Sequence, residues 1–270
     1  MTAVTLHYEL IPAASNQSAR PLVILHGLFG SQSNWKTVAR RLAQYRDVYV
    51  PDCRNHGTSP HHTDMSYQQM ANDLHQLQQQ LSLDCWHVLG HSMGGKTVMR
   101  YAYDHPENLD RLIVIDIAPK AYPPRHHEIF AAIDRLADHE VKSRNAAGKM
   151  IEDLIPDQAT RLFLLTNLER GDNDNLIWRF NEKAIKAAYQ SISANPLPDT
   201  DNADFHAIDT PTLFIKGAES GYIKTQDSDL LKQYFPNSQL HVIQQAGHWL
   251  HAQQPEQLLQ QVNTFLDTDA

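Results

Sequence analysis

The hexapeptide Gly90-His91-Ser92-Met93-Gly94-Gly95 sets a serine in a G-x-S-x-G spacing. It follows the apolar run Trp86–Leu89 and precedes a helix-like stretch from Lys96, the strand–turn–helix setting of a nucleophile elbow. The chemistry of such a turn is attack by a hydroxyl on an acyl carbon. Side chains at 90 or 94 would collide with the sharp bend, and the helix that follows points its N–H groups and positive dipole end at the site. A serine hydroxyl needs a base to take its proton. Gly247-His248-Trp249 follows the last apolar run and precedes the final helix. His248 is thus expected on a loop at the carboxyl edge of a sheet, where open α/β sheets bind ligands. The chain has 16 histidines, and position alone singles out this one. His61-His62 and His126-His127 read as solvated pairs.

The acid that orients the base has two candidates. Asp116 ends the apolar run Leu112–Ile115 and is aimed at the same edge as Ser92, whereas Glu219 lies in Gly217-Ala218-Glu219-Ser220 after a later run. A G-x-x-D pattern is usual at the second place, but here its last position holds Ser220. Asp116 is the preferred reading and Glu219 the alternative. For the oxyanion, the Met93 N–H just after the nucleophile is one expected donor. The segment His26-Gly27-Leu28-Phe29-Gly30 supplies the other, Leu28 first and Phe29 next, because its glycines let the backbone approach closely. The same segment lacks a Walker lysine and G-x-G-x-x-G spacing, which argues against nucleotide binding.

Strands are expected at Leu6–Leu10, Leu22–Leu25, Val48–Val50, Trp86–Leu89, Leu112–Ile115, Leu213–Ile215 and Leu240–Ile243. Several are continuous apolar runs, which suits strands covered on both faces. Helical patterns at Trp35–Tyr45, Tyr67–Leu81, Lys96–Tyr103, Ser228–Tyr234 and Glu256–Phe265 alternate with them. The fold class is therefore α/β, a doubly wound, mostly parallel sheet. From Ile115 to Leu213 the alternation stops and the pattern reads as helix after helix, with Ile129, Ile133 and Leu136 on one face and Leu162, Leu165 and Leu168 on another. Residues 122–205 are expected to form a helical cap inserted into a core of residues 1–121 and 206–270. Candidate acyl-pocket residues from the cap are Ile129, Ile133, Leu162, Phe163, Trp178 and Phe180, with Arg179 beside them.

Composition narrows the class. The chain has 270 residues, a net charge of −8, 41% hydrophobic residues and two cysteines. It is too apolar for a disordered chain and long enough for a full core. No apolar run approaches the ~18 residues of a membrane span. Residues 1–10 lack a basic-then-apolar signal pattern, and Cys53 and Cys85 have no zinc or redox spacing. The expectation is a cytoplasmic protein without a metal or organic cofactor, and the acidic balance argues against nucleic acid as a partner. Neither the cap nor the core is basic, so a preference for anions would rest on a few placed residues. Lys96, unusual so close to the elbow, is open to contact with an anionic substrate, but a salt bridge or solvent exposure is the preferred reading.

These motifs resemble the α/β-hydrolase family and, within it, the subgroup of YbfF-like bacterial esterases. The match rests on His26-Gly27-Leu28-Phe29-Gly30-Ser31, Asp52-Cys53-Arg54-Asn55-His56-Gly57, the Ser92 segment through Lys96, and Gly247-His248-Trp249. Ile115-Asp116-Ile117-Ala118-Pro119 and Trp178-Arg179-Phe180-Asn181 add to it. The resemblance implies an eight-strand-type sheet short of its first strand, a helical cap, and hydrolysis of small-molecule esters or thioesters. In the subgroup the acid follows the earlier strand, which matches Asp116, and the loop of Asp52, Arg54 and Gly57 is structural. Arg125, His126, His127 and Arg179 could meet the phosphates of an acyl-CoA. The rival readings are carbon–carbon bond hydrolysis or a lyase step on the same residues, and a ligand-binding receptor that does not turn over. A receptor has no need of serine, base and oxyanion loop together.

Overall fold

The apolar runs become the strands of one sheet. The computed structural model describes residues 3–15 and 19–267. Met1 and Thr2, where the N-terminal stretch without a signal pattern begins, and the last three residues of the expected core lie outside the described residues. The strands are β1 (Tyr8–Ile11), β2 (Leu22–Leu25), β3 (Val48–Pro51), β4 (Trp86–His91), β5 (Leu109–Ile115), β8 (Thr212–Gly217) and β9 (Ser238–Ile243), in the order β1-β3-β2-β4-β5-β8-β9. All pairs are parallel except β1 with β3. The sheet thus has seven strands among the described residues.

Alternation within the apolar runs serves two cores. On β2 and β5, Val23, Leu25, Leu112 and Val114 face one apolar layer, while Leu22, Ile24, Ile113 and Ile115 face the other. The second layer is closed by α1 (Lys36–Leu42) and α11 (Pro255–Asp267), the first by α2 (Tyr67–Gln80), α3 (Met93–Asp104) and α9 (Ser228–Tyr234). A short helix, α10 (Leu250–Gln253), links the His248 loop to α11.

Between β5 and β8 the chain forms α4 (His127–Ala137), α5 (Arg144–Met150), α6 (Gln158–Leu165), α7 (Glu182–Ala187) and α8 (Tyr189–Ser193). The expectation of helices alone is corrected here. An antiparallel pair, β6 (Leu168–Arg170) and β7 (Leu176–Trp178), interrupts them. Its turn holds Asn173 and Asp174 at φ 60° and 63°, a conformation that these side chains tolerate better than most. Helix α6 ends at Leu165 with Thr166 as its C-cap, so Leu168 belongs to a strand and does not extend a helical face.

Candidate active site

At the end of β4 the backbone turns sharply, and Ser92 takes φ 55° and ψ −115° as the N-cap of α3. Such a conformation costs on the order of 1–3 kcal/mol for a residue with a side chain. The surroundings fix it. Ser92 N–H donates to Ile115 O at 3.0 Å. A Cβ at Gly90 would lie 2.3 Å from Gly94 O, and one at Gly94 would lie 2.5 Å from His26 O. Only glycine fits either place, and the hydroxyl is left half-buried on a cavity wall.

Strand β5 lies beside β4 and ends at Asp116, fully buried with φ 54°. The Asp116 N–H donates to Ile215 O at 2.8 Å, so the carboxylate is aimed from the strand end into the site. Asp116 Oδ2 accepts from His248 Nδ1 at 2.7 Å and from the Ser220 hydroxyl, while Oδ1 accepts from Gly217 N–H at 3.3 Å. A carboxylate at Nδ1 favours the tautomer in which Nε2 carries the lone pair. Glu219 is exposed, and its side chain makes no hydrogen bond among the described residues. Two further residues hold the imidazole. Tyr222 stacks on its face at 4.1 Å between ring centroids, and His91 Nε2–H donates to the His248 carbonyl at 2.9 Å. Burial and the nearby His248 keep His91 well below the usual histidine range, so it is neutral.

The segment after β2 curls over the serine. Phe29 sits at φ 58°, and its N–H donates to His56 Nε2 at 3.2 Å. That bond removes Phe29 as an oxyanion donor, which corrects the second choice made from the sequence. Leu28 N–H and Met93 N–H have no acceptor among the described residues, and both residues border the cavity with Ser92. His56 Nδ1–H donates to Arg54 O, and His26 spans Gly27 O and Cys53 N–H, so two imidazoles brace the loop against its neighbour. Burial drives His56 down to about 3 and lowers His26, which keeps both neutral.

The opposite wall comes from the residues between β5 and β8. Ile129 and Phe163 line the cavity as expected residues, and Phe163 packs on Trp249 at 5.3 Å. The other candidates lie elsewhere. Phe180 is buried behind Phe29 at 5.3 Å, and Trp178 stacks on Phe180 and donates to the carbonyl of buried Ile133. Arg179 pairs with Glu169 at 3.0 Å. Leu162 is 58% exposed, on a groove between α5 and α6. A helical face seen in sequence does not tell which side meets the core, and here Leu164 and Leu165 take the inner side.

Three expectations about polar residues change. Lys96 is neither salt-bridged nor exposed: it is buried at the cavity wall and donates to Ser193 O at 3.2 Å and Ala194 O at 2.6 Å. Burial pushes its ammonium down to about 7. His126 is not solvated; it borders the cavity, bonds Tyr189 Oη at 2.5 Å, and is pushed by burial to about 4. Ser220 is a hydroxyl donor to the acid, where the sequence was read only for the carboxylate it lacks. A hydroxyl one loop away from a buried aspartate was the signal available. His91 had none, because its role depends on a contact 157 residues away. Among the described residues no group of three His, Cys, Asp or Glu side chains is arranged to hold a metal ion.

A family model described as alpha/beta hydrolase fold matches residues 20–255. The chain is 35% identical to esterase YbfF of Escherichia coli (strain K12), covering 94% of this chain and 96% of that protein. It is 36% identical to the sn-1-specific diacylglycerol lipase ABHD11 of Danio rerio, covering 97% and 83%. The solved structure of a marine microorganism esterase matches with a TM-score of 0.91 and 38% identity, over 97% of this chain and 100% of that one. A strained serine after a central strand, a histidine loop after the last strand and an intervening set of helices accord with these matches. The chain belongs to the α/β-hydrolase fold family.

Proposed function

We propose that this chain, a carboxylic ester hydrolase, works by acyl transfer through Ser92, His248 and Asp116. The contact of His248 Nδ1 with Asp116 Oδ2 at 2.7 Å, on the cavity that holds Ser92, carries the reading. His248 Nε2 takes the Ser92 proton as the hydroxyl attacks the ester carbonyl. The Leu28 and Met93 N–H groups receive the oxyanion, and Asp116 stabilises the imidazolium. His248 then protonates the leaving alcohol, and a water activated by the same imidazole cleaves the acyl-enzyme. Residues 122–205 act as the cap over the acyl pocket, with Ile129 and Phe163 against the acyl chain. Acyl thioesters are the second substrate class we propose. The same carbonyl chemistry serves them, and exposed Arg125 borders the cavity where an acyl-CoA phosphate could reach. Ser92→Ala is expected to lower p-nitrophenyl butyrate turnover at least about 10⁴-fold, with circular dichroism unchanged. Covalent labelling by a fluorophosphonate, located by mass spectrometry, is expected at Ser92. Undiminished turnover in the folded variant would end the proposal.

A further inference from the structure

Lys96 follows Ser92 by four residues on α3, so the two lie on one helix face about 6 Å apart along the axis. The lysine is 2% exposed and borders the same cavity as the serine. Among the described residues no carboxylate faces its ammonium. It meets the Ser193 and Ala194 carbonyls and the rings of Tyr122 and Tyr67, at 4.9 Å and 5.6 Å from the ring centroids. A buried ammonium without a counter-charge is costly, and burial correspondingly lowers its proton affinity. Two carbonyls occupy two of its three donors, leaving one N–H.

The rest of the wall has the same bias. The chain holds 31 Asp and Glu residues, yet among the described residues none lines this cavity. Asp116 stands behind His248 and is fully buried. Exposed Arg125 borders the cavity and has no ion pair among the described residues. In an acidic protein, this cavity offers two cations and no carboxylate.

Resting on the Ser92 hydrolase reading, we propose that the acyl pocket takes a carboxylate-bearing acyl group, so that half-esters of short dicarboxylic acids are preferred substrates. The free carboxylate receives the remaining Lys96 N–H while Ser92 attacks the ester carbonyl at the other end. Arg125 draws the anion to the entrance. The Cα atoms of Ser92 and Lys96 stand about one helical turn apart, the scale of succinyl and glutaryl chains. The substrate thereby supplies the counter-charge that the fold withholds, and a charge-assisted bond out of water is among the stronger single contacts.

The test compares monomethyl and dimethyl glutarate, which share a backbone and differ in one charge, by methanol release at about pH 6, where Lys96 is charged. Wild-type kcat/KM is expected to favour the monoester roughly 10-fold or more, and Lys96→Met to lower the monoester/diester ratio by roughly 10- to 100-fold. Because Lys96 also braces α8, a second measurement needs no substitution. Glutarate should inhibit the wild-type protein competitively at concentrations at least about tenfold below neutral glutaramide. Equal use of both esters, an unchanged ratio in Lys96→Met, or equal inhibition overturns the proposal. Turnover that stays dependent on Ser92 without charge preference removes this inference alone, whereas turnover that survives Ser92→Ala removes the underlying reading.

Discussion

The sheet side of the cavity and the side built by residues 122–194 hold their residues by different means. On the sheet side, Ser92 and Asp116 stand at the ends of adjacent parallel strands, and each N–H continues the ladder to the neighbouring strand. The positive-φ backbone of Ser92 is enforced by the close approaches at Gly90 and Gly94, and that of Asp116 is held by its ladder bond to Ile215. On the other side, helices of five to eleven residues are tied to the core by apolar packing and scattered side-chain contacts. Asn167 Nδ2 donates to Phe29 O at 2.7 Å, Tyr67 Oη to Ile192 O at 2.6 Å, and Lys96 to the end of α8. The difference teaches that chemistry is fixed by register and shape by side-chain packing. Loss on the first side should abolish reaction, and loss on the second should shift affinity.

Asp116→Asn tests the first half most severely. Without the carboxylate His248 loses its tautomer, and kcat should fall about 10³–10⁴-fold at neutral pH, while Glu219→Gln should leave it within about twofold. A larger effect at 219 would reverse the assignment of the acid. Gly94→Ala comes next. Its new Cβ meets the backbone of His26, and thermal or urea unfolding should show a loss of about 2–3 kcal/mol. If stability is unchanged, the elbow is looser than its packing implies.

Asn167→Ala asks whether one contact couples the two sides. Leaving a buried carbonyl unpaired costs roughly 1–3 kcal/mol, so the melting temperature should fall by several degrees and kcat/KM should drop with it. Stability loss without any kinetic change would separate the walls. The last test is a pH slope. Burial holds His126 near 4 in the folded chain, below the ordinary histidine value, so the unfolded chain binds the extra proton first as pH falls. Stability from this group is present above about pH 6.5 and declines down to about pH 4. Urea titrations at several pH values should show a shallower decline in His126→Asn.

The same contrast explains what the sequence made legible. The runs Leu22–Leu25, Trp86–Leu89 and Leu112–Ile115 carry their own period and became strands with little change of boundary. Ser92 and Asp116 stand out because a strand end dictates where the next residue points, and His248 because it lies in the loop after the last strand. Trp178, Phe180 and Ile133 were equally visible as large apolar residues, but apolarity does not tell a pocket wall from the layer behind it. Phe180 ended behind Phe29, and Leu162 faced solvent. Lys96 was misread for a related reason. Its carbonyl partners lie near residue 193, and no local pattern announces a long-range backbone acceptor.

The hydrogen bond from His91 to the His248 carbonyl has a mechanical consequence. His91 directly precedes Ser92, so the loop that carries His248, the proposed base, is moored to the residue beside the proposed nucleophile. Thermal displacement of that loop is then measured from the same origin as displacement of the serine. One hydrogen bond thereby ties the two groups of the proposed acyl transfer to a common anchor across 157 residues of chain.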